Sequence, residues 1–263
     1  MPYVELHAGS AFSFLRGGSA PEHLAGTAAE LQMPAVALLD RNGVYGAQRF
    51  SVAARENGVR PIVGCELAME DGAVLPVLVE TRTGYKNLCG LLTRAHLRSE
   101  KGKCAVQWDE LVGFAEGLVT LLGTQSISRS DSGSARFQRA DGGILPQSFL
   151  SELGNSVRQD AGRCTQDACA PRNSAERARF LIDTFGRSNV FVEIQRHLLR
   201  GEERANQSLI DLARAEQLPL LATNGVRYAT ASGHQVLDVL PAFASTPISM
   251  PPANAWHATR NGI

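Results

Sequence analysis

The sequence is poor in lysine and in aromatic residues, and it has no excess of either charge. Lysine occurs three times, and Phe, Trp and Tyr together make up 6% of the 263 residues. Lysine plus arginine equals aspartate plus glutamate at 26 each, so no global field draws the chain to nucleic acid, although a local basic face is not excluded. With 44% hydrophobic residues and few aromatics, the core must consist mainly of Leu, Val, Ala and Ile.

The sequence also lacks long apolar runs and paired cysteine motifs. No window approaches eighteen uninterrupted apolar residues, and no basic segment followed by an apolar run opens the chain. We therefore expect no membrane span, no signal peptide and a cytoplasmic location. The five cysteines form no CxxC pair, and Cys164 and Cys169 give only a weak metal or disulfide signal, so we expect reduced thiols.

Apolar strand candidates alternate with helix candidates along most of the chain. The continuous apolar run at 34–40 is typical of a strand buried on both faces, and Gly58 is a natural residue to follow a helix end. This alternation predicts a parallel sheet with helices outside it. The number of strands and the absence of a glycine-rich phosphate fingerprint favour an α/β barrel over an open sheet. The predicted strands are 3–7, 34–40, 60–69, 73–80, 117–123, 189–197 and 218–225, and the predicted helices are 20–33, 46–58, 84–100, 174–186, 202–217 and one that starts at 232.

Two stretches interrupt this alternation. Residues 124–173 are rich in Ser, Gly, Gln, Arg and Asp, which indicates a polar insertion or a disordered loop. The end of the chain carries four prolines and no periodic apolar face, which predicts a divergent, unfolded tail. The predicted organisation is one barrel domain at 1–231, with the insertion at about 124–173, and a tail at 232–263.

Candidate functional residues follow the predicted strands, because the carboxyl ends of parallel strands in a barrel meet at one rim. His7 follows the first strand, Asp40 the second, and Glu66 lies near the end of the third. Histidines and carboxylates at such a rim are typical of divalent metal ions that activate water for phosphate-ester hydrolysis. Other polar residues at this rim, or on the helix after the fourth strand, are Arg41, Asn42, His96, Glu193, Gln195, His197, Asn224 and Arg227.

Several positions that would complete a metal site hold residues unable to bind a cation. They are Gly9, Arg41, Gly225 and Arg227. Glycine has no side-chain ligand, and arginine stays protonated and places positive charge where the cation would lie.

Six ordered segments carry a resemblance to a known family: "ELHAGSAFSFLRGGSAPEHL", "MPAVALLDRNGVYGAQRF", "GVRPIVGCEL", "NLCGLLTRAHL", "NVFVEIQRH" and "LPLLATNGVRYATA". With them, residues 3–231, apart from the insertion, resemble the N-terminal polymerase-and-histidinol-phosphatase (PHP) domain of bacterial C-family DNA polymerase alpha subunits. Within that family the chain is most similar to the error-prone alpha subunit of mutagenic translesion synthesis, as "FSFL" and "ATNGVRYA" indicate.

The resemblance implies an α/β fold, a distorted (β/α)7 barrel of PHP type, with a trinuclear phosphoesterase or proofreading site in members that retain metal. Here the family's His-x-His reads His7-Ala8-Gly9, its Asp-His reads Asp40-Arg41, and its Asp-x-His reads Gly225-Val226-Arg227. Four ligands are thus replaced, so we expect neither a bound Zn or Mn cofactor nor catalysis. The residual ligand positions are His7, Asp40 and Glu66, and the predicted degenerate pocket comprises Gly9, Arg41, His96, His197, Asn224 and Arg227.

An ion-pair network is expected in place of the metal cluster. Glu66 should pair with Arg41 or Arg227, while Asp40 should cap the following helix and pair with Arg41. The first hypothesis is a structural PHP domain that braces an error-prone polymerase, with the rest of the alpha subunit and DNA as partners. Polymerisation would need a palm domain, which the family carries beyond this region. The alternatives are a free-standing metal-dependent phosphoesterase of histidinol-phosphatase type, a module that binds polymerase partners, and a truncated or frameshifted gene product.

Overall fold

The computed structural model describes residues 2–127, 174–199 and 201–245. These residues form seven strands and seven α-helices that alternate along most of the chain. The strands are β1 (Glu5–Ala8), β2 (Ala35–Arg41), β3 (Arg60–Ala68), β4 (Val74–Val79), β5 (Leu118–Leu122), β6 (Val190–Ile194) and β7 (Leu220–Ala222). The helices are α1 (Pro21–Glu30), α2 (Ala47–Glu56), α3 (Arg82–Arg98), α4 (Thr124–Ile127), α5 (Ser174–Phe185), α6 (Glu202–Ala215) and α7 (Ala231–Ser245).

The strands form one sheet in sequence order, and only β4 runs against the others. The connection between β3 and β4 is a short turn with Gly72 at φ 83°, which can join antiparallel strands but not parallel ones. The strict parallel alternation expected from the sequence was therefore wrong at β4. Elsewhere a helix crosses over between neighbouring parallel strands, as predicted.

The sheet curls until its two edge strands approach each other, and the segment after β7 spans the gap. The amide of Gly9 donates to the carbonyl of Val226 at 2.8 Å, and the amide of Gly18 donates to that of Arg227 at 2.7 Å. The amide of Asn224 donates to the Glu5 carboxylate at 3.0 Å. The polar residues that follow β7 are thereby held beside those that follow β1.

Strand β2 is buried on both faces, as its continuous apolar run predicted. Val36 and Leu38 pack outward against helices α1 and α2, whereas Ala37 and Leu39 pack inside the barrel. The largest apolar cluster lies under α3, α5 and α6, with Trp108 fully buried in it. The outer cluster around Val36 and Leu38 and the inner cluster around Ala37 and Leu39 together hold β2 in place.

A buried arginine on α5 links this helix to the β3–β4 turn and to α4, next to the larger cluster. The Arg177 guanidinium lies 5.1 Å from the Trp108 ring centroid, forms an ion pair with Asp71 and donates to the carbonyl of Ser126 at 2.6 Å. The Ser126 hydroxyl donates to the carbonyl of Val74 at 2.8 Å. Residues 124–127, which the sequence analysis placed in the polar insertion, are therefore part of the packed barrel, and the rest of the predicted insertion, 128–173, lies outside the described residues.

The helix predicted to start at residue 232 is present, so the unfolded tail expected over 232–263 was wrong for residues 232–245. They belong to helix α7, which continues past Pro241 to Ser245. Residues 246–263 lie outside the described residues. Within the described part of the chain, no helix is long and apolar enough to cross a membrane.

Candidate functional site at the barrel mouth

His7 lies at the centre of the mouth, between two carboxylates from distant parts of the chain. Its Nε2 is 2.8 Å from Glu66 Oε1 on β3, and its Nδ1 is 2.7 Å from Glu193 Oε1 on β6. All three side chains are buried. Burial alone would lower the pKa of His7, but the charges and hydrogen bonds of Glu193 and Glu66 outweigh it and raise the pKa to about 9. At neutral pH His7 is therefore an imidazolium that donates to both carboxylates.

Glu66 also holds two arginines. The register of β2 against β3 places Arg41 beside Glu66, and Arg41 Nη1 lies 3.5 Å from Glu66 Oε2. Arg227, which follows β7, donates from Nη2 to Glu66 Oε1 at 2.7 Å. Burial would raise the pKa of Glu66, but Arg227, His7 and Arg41 together hold it far below its usual range. Pairing with either arginine was predicted, and the structure contains both pairs.

Asp40 has different partners from those predicted. It accepts hydrogen bonds from the amide and hydroxyl of Ser10 at 2.8 and 2.9 Å and from the hydroxyl of Ser13 at 2.8 Å. No ion pair between Asp40 and Arg41 occurs among the described residues, and α2 has Gly46 at its N-cap position with no side-chain cap. Both predictions for Asp40 were wrong, because the loop after β1 folds its two serines over this carboxylate while the Arg41 guanidinium reaches Glu66.

The Arg227 side chain fills the space that a side chain at position 9 would need. A Cβ atom added to Gly9 would lie 2.9 Å from Arg227 Nη1. That nitrogen is buried and has no hydrogen-bond partner in the described part of the chain. At Gly225 the backbone has a φ of 59°, and a Cβ atom there would lie 2.9 Å from Gln195 Oε1. Glycine at positions 9 and 225 thus leaves the space in which the side chains of Arg227 and Gln195 lie close to the backbone.

The remaining residues of the predicted pocket lie nearer the surface and bond elsewhere. His96 Nε2 donates to the carbonyl of Asn42 at 2.8 Å. His197 Nε2 donates to the carbonyl of Asn224 at 2.9 Å, and its Nδ1 lies 3.0 Å from Glu202. Both histidines are exposed and use their ring nitrogens in these contacts rather than on His7 or Glu66.

Two buried glutamates matter more to the site than the sequence analysis indicated. Glu193 was noted only as a strand-end residue, yet it accepts from Thr223 Oγ1 at 2.5 Å and from Gln195 Nε2 at 3.1 Å besides contacting His7. Glu5 was not noted, although it accepts from the Tyr3 hydroxyl at 2.6 Å and the His7 amide at 2.8 Å. Strand periodicity could have found Glu5, since residues 5 and 7 share one face of β1.

A cavity of about 400 Å³ opens beside Arg227. None of its lining residues is acidic, and most of them offer hydrogen-bond donors. The polar lining residues are Gln125, Gln195, His197, Asn224, Arg227 and Tyr228. Across the described residues, no group of three or more His, Cys, Asp and Glu side chains is placed to hold a metal ion.

Comparison with known proteins places this geometry in a family context. Residues 5–197 match the family model described as "PHP domain". The chain is 32% identical over 273 aligned residues to an error-prone DNA polymerase of Mycolicibacterium paratuberculosis, covering 100% of this chain and 22% of that protein. It is 30% identical over 254 residues to DNA polymerase III subunit alpha of Treponema pallidum, covering 91% of this chain and 19% of that one. The chain thus spans about a fifth of the length of these relatives.

A solved structure shares the fold. A protein described as a metal-dependent phosphoesterase from Bifidobacterium adolescentis superposes with a TM-score of 0.51 at 12% identity, covering 86% of this chain and 89% of that one. At this identity the likeness concerns the fold alone. It confirms the distorted (β/α)7 barrel predicted from the sequence.

Proposed function

Because the chain belongs to the PHP domain family, we propose that it acts as a structural domain of an error-prone polymerase of the DNA polymerase III alpha type. In this proposal the domain holds no metal ion and does not hydrolyse phosphoesters. Its barrel braces the remaining polymerase domains, which are its partners together with DNA, during mutagenic translesion synthesis. The names of the two relatives, which cover 100% and 91% of this chain, support the polymerase context.

The observation that carries the proposal is the position of Arg227 against Glu66 and over Gly9. A divalent cation bound to Glu66 would lie about 4 Å from a guanidinium, where repulsion is on the order of 8 kcal/mol at an effective dielectric constant of 20. His7 cannot compensate, since its two ring nitrogens point at carboxylates on opposite sides of the ring. The residues present therefore do not fit the metal cluster that the fold family implies.

The same contacts support a bracing role. The buried side chains of His7 on β1, Glu66 on β3 and Glu193 on β6 form one network with the partly exposed Arg227 after β7. Removing one partner of a buried ion pair leaves an uncompensated charge and costs about 3–5 kcal/mol. The network therefore links strands that are distant in the sequence. It also holds Arg227, which follows β7, beside the edge strand β1.

Metal analysis of the purified chain, together with hydrolysis of p-nitrophenyl phosphate in added zinc or manganese, tests the absence of a metal centre. We expect far less than one metal ion per chain and no turnover. A matched variant, Gly9→His with Arg41→His, Gly225→Asp and Arg227→His, restores the four family ligands and should gain metal. Stoichiometric metal with turnover in the unmodified chain would instead establish the free-standing phosphoesterase.

Urea unfolding of Glu66→Gln tests the brace separately. The substitution keeps the shape of the side chain but removes the charge shared by His7, Arg41 and Arg227. We expect the free energy of unfolding to fall by about 3–5 kcal/mol. A change below about 1 kcal/mol would show that the network does not brace the barrel.

A further inference from the structure

Asparagine followed directly by glycine occurs four times in the sequence, at positions 42, 57, 224 and 261. In such a pair the backbone nitrogen of glycine can attack the side-chain carbonyl carbon of asparagine, because glycine has no Cβ atom to hinder the approach. The product is a succinimide ring, which forms only where the side-chain amide and that nitrogen can move towards each other. The tertiary structure therefore decides which pairs react. The pair at 261 lies outside the described residues.

Hydrogen bonds hold two of these pairs in place. The Asn42 side chain donates to one backbone carbonyl at 3.0 Å and accepts from a backbone amide at 2.8 Å. At the end of α2, the Asn57 side chain donates to the carbonyl of Ala53 at 2.7 Å, and the amide of Gly58 donates to that of Arg55 at 3.0 Å. Ring closure at either pair must first break such bonds.

The third pair, Asn224 and Gly225, has both reacting groups available. It lies in the segment after β7 (residues 223–230), outside helices and strands, and Asn224 is exposed. Within the described part of the chain, neither the Asn224 side chain nor the backbone nitrogen of Gly225 forms a hydrogen bond. No such bond therefore has to break before the nitrogen approaches the side chain.

A histidine activates the same peptide group. His197 Nε2 donates at 2.9 Å to the carbonyl oxygen of Asn224, and this carbonyl is bonded to the attacking nitrogen of Gly225. The nitrogen attacks after it has lost its proton, when the negative charge is shared with that oxygen. A donor placed on an oxygen where charge develops stabilises the charged state. His96 donates similarly to the carbonyl of Asn42, but there the side chain is held.

We propose that Asn224 and Gly225 form a site of spontaneous deamidation that is promoted by His197. The Gly225 nitrogen bonds to Asn224 Cγ, the Cγ–Nδ2 bond breaks, and ammonia leaves with the proton that the backbone nitrogen has lost. Water then opens the ring. Its attack at Cγ gives aspartate, and its attack at the backbone carbonyl carbon gives isoaspartate. Nothing is oxidised or reduced, and water is the only co-reactant.

Either product changes the segment after β7. Isoaspartate lengthens the main chain by one carbon atom, three residues before Arg227, which pairs with Glu66. Aspartate adds a negative charge to the residue whose amide donates to the Glu5 carboxylate. Both changes should weaken the attachment of this segment to the barrel. This consequence rests on the proposed brace, whereas the deamidation does not, so the two can fail separately.

Peptide mapping by mass spectrometry of the full 263-residue chain, aged at pH 8, measures the converted fraction at each pair. We expect conversion at Asn224 to be at least about tenfold faster than at Asn57, where two hydrogen bonds must break before ring closure. Isoaspartate should be among the products, because direct hydrolysis of the amide gives aspartate alone. In concentrated urea the hydrogen bonds are lost, so the rates at Asn42, Asn57 and Asn224 should become similar.

Substitution of His197 tests its role. His197→Phe removes the donor and should slow conversion at Asn224 by roughly fivefold or more, with no change at Asn57. The matched control is His23→Phe, which replaces an exposed histidine on α1 and should leave both rates unchanged. Asn224→Gln keeps an amide but moves it one carbon atom further from the backbone, so it should abolish conversion at this position.

Equal conversion at Asn224 and Asn57 in the folded chain would overturn the proposal, as would aspartate without isoaspartate. This comparison uses the unmodified chain, so it does not depend on the folding of any variant. An unchanged rate in His197→Phe would overturn the role of the histidine. Urea unfolding of aged and fresh chain tests the consequence for the barrel: the aged chain should unfold at lower urea, and equal midpoints would overturn the expected weakening.

Discussion

Alkaline pH should destabilise this protein partly through His7, whose contribution can be measured separately. The buried pair Glu66 and Glu193 raises the pKa of His7 from 6.5 to about 9 in the folded chain. A difference of about 2.5 in pKa, at about 1.36 kcal/mol for each unit, corresponds to roughly 3 kcal/mol. Because the folded-state pKa lies above the unfolded-state value, this stabilisation is fully present below pH 6.5 and is lost as the pH rises through about 9.

Urea unfolding at pH 6, 7, 8, 9 and 10 measures this loss when wild type is compared with His7→Gln. Burial also raises the pKa of the Cys65 thiol, so unfolding becomes easier at alkaline pH in both proteins. The difference between the two free energies of unfolding removes that shared contribution. We expect it to shrink by about 3 kcal/mol between pH 6 and pH 10, and the histidine NMR signal absent from His7→Gln should titrate near pH 9.

A His7 signal that titrates near pH 6.5 would refute the reasoning. So would a stability difference that stays constant from pH 7 to pH 10. Either result would mean that His7 is neutral at physiological pH and that the two carboxylates are balanced by the arginines alone.

Three further predictions concern single positions, each measured by urea unfolding. Glu5→Gln should cost about 2–3 kcal/mol, since Glu5 accepts from two backbone amides and the new amide group would face a donor. Gly9→Ala should cost about 1–3 kcal/mol, because its Cβ lies 2.9 Å from Arg227 Nη1, and the cost should be less than additive with Arg227→Ala. Gly84→Ala should cost at least about 1–3 kcal/mol, because its Cβ would lie 1.9 Å from a backbone carbonyl oxygen.

Glu5→Gln has one matched control, and the two glycine variants share another. Glu30→Gln removes an exposed carboxylate from α1 and should change stability by less than about 0.5 kcal/mol. Gly26→Ala adds a Cβ atom with nothing within 4 Å in the interior of α1, and should stabilise by about 0.5–1 kcal/mol. In the double variant Gly9→Ala with Arg227→Ala, fully additive losses in the free energy of unfolding would show that the new Cβ atom and the Arg227 side chain do not compete for space. Equal effects of Gly84→Ala and Gly26→Ala would contradict the packing argument.

The sequence was informative wherever a short-range pattern decides the outcome. The continuous apolar run of β2 predicted burial on both faces, and Gly58 predicted the end of α2, where the structure gives it a φ of 73°. The replacement of ligand positions by glycine and arginine also predicted that Glu66 would pair with arginine. The first two features depend on a few neighbouring residues, whereas the Glu66 pairing joins residues 161 positions apart and was inferred from the resemblance to the PHP domain.

The amino-acid sequence by itself determined the strand and helix alternation and the set of charged groups available at the mouth. Only the tertiary structure decided that Glu193, 186 residues away, would lie against His7 and that serines rather than Arg41 would surround Asp40. Inside a barrel, the partner of a carboxylate depends on which strand ends lie side by side and on which charged or polar side chain can reach it. That competition is settled by the curl of the sheet in three dimensions, because no local pattern along the chain records the distances between its distant parts.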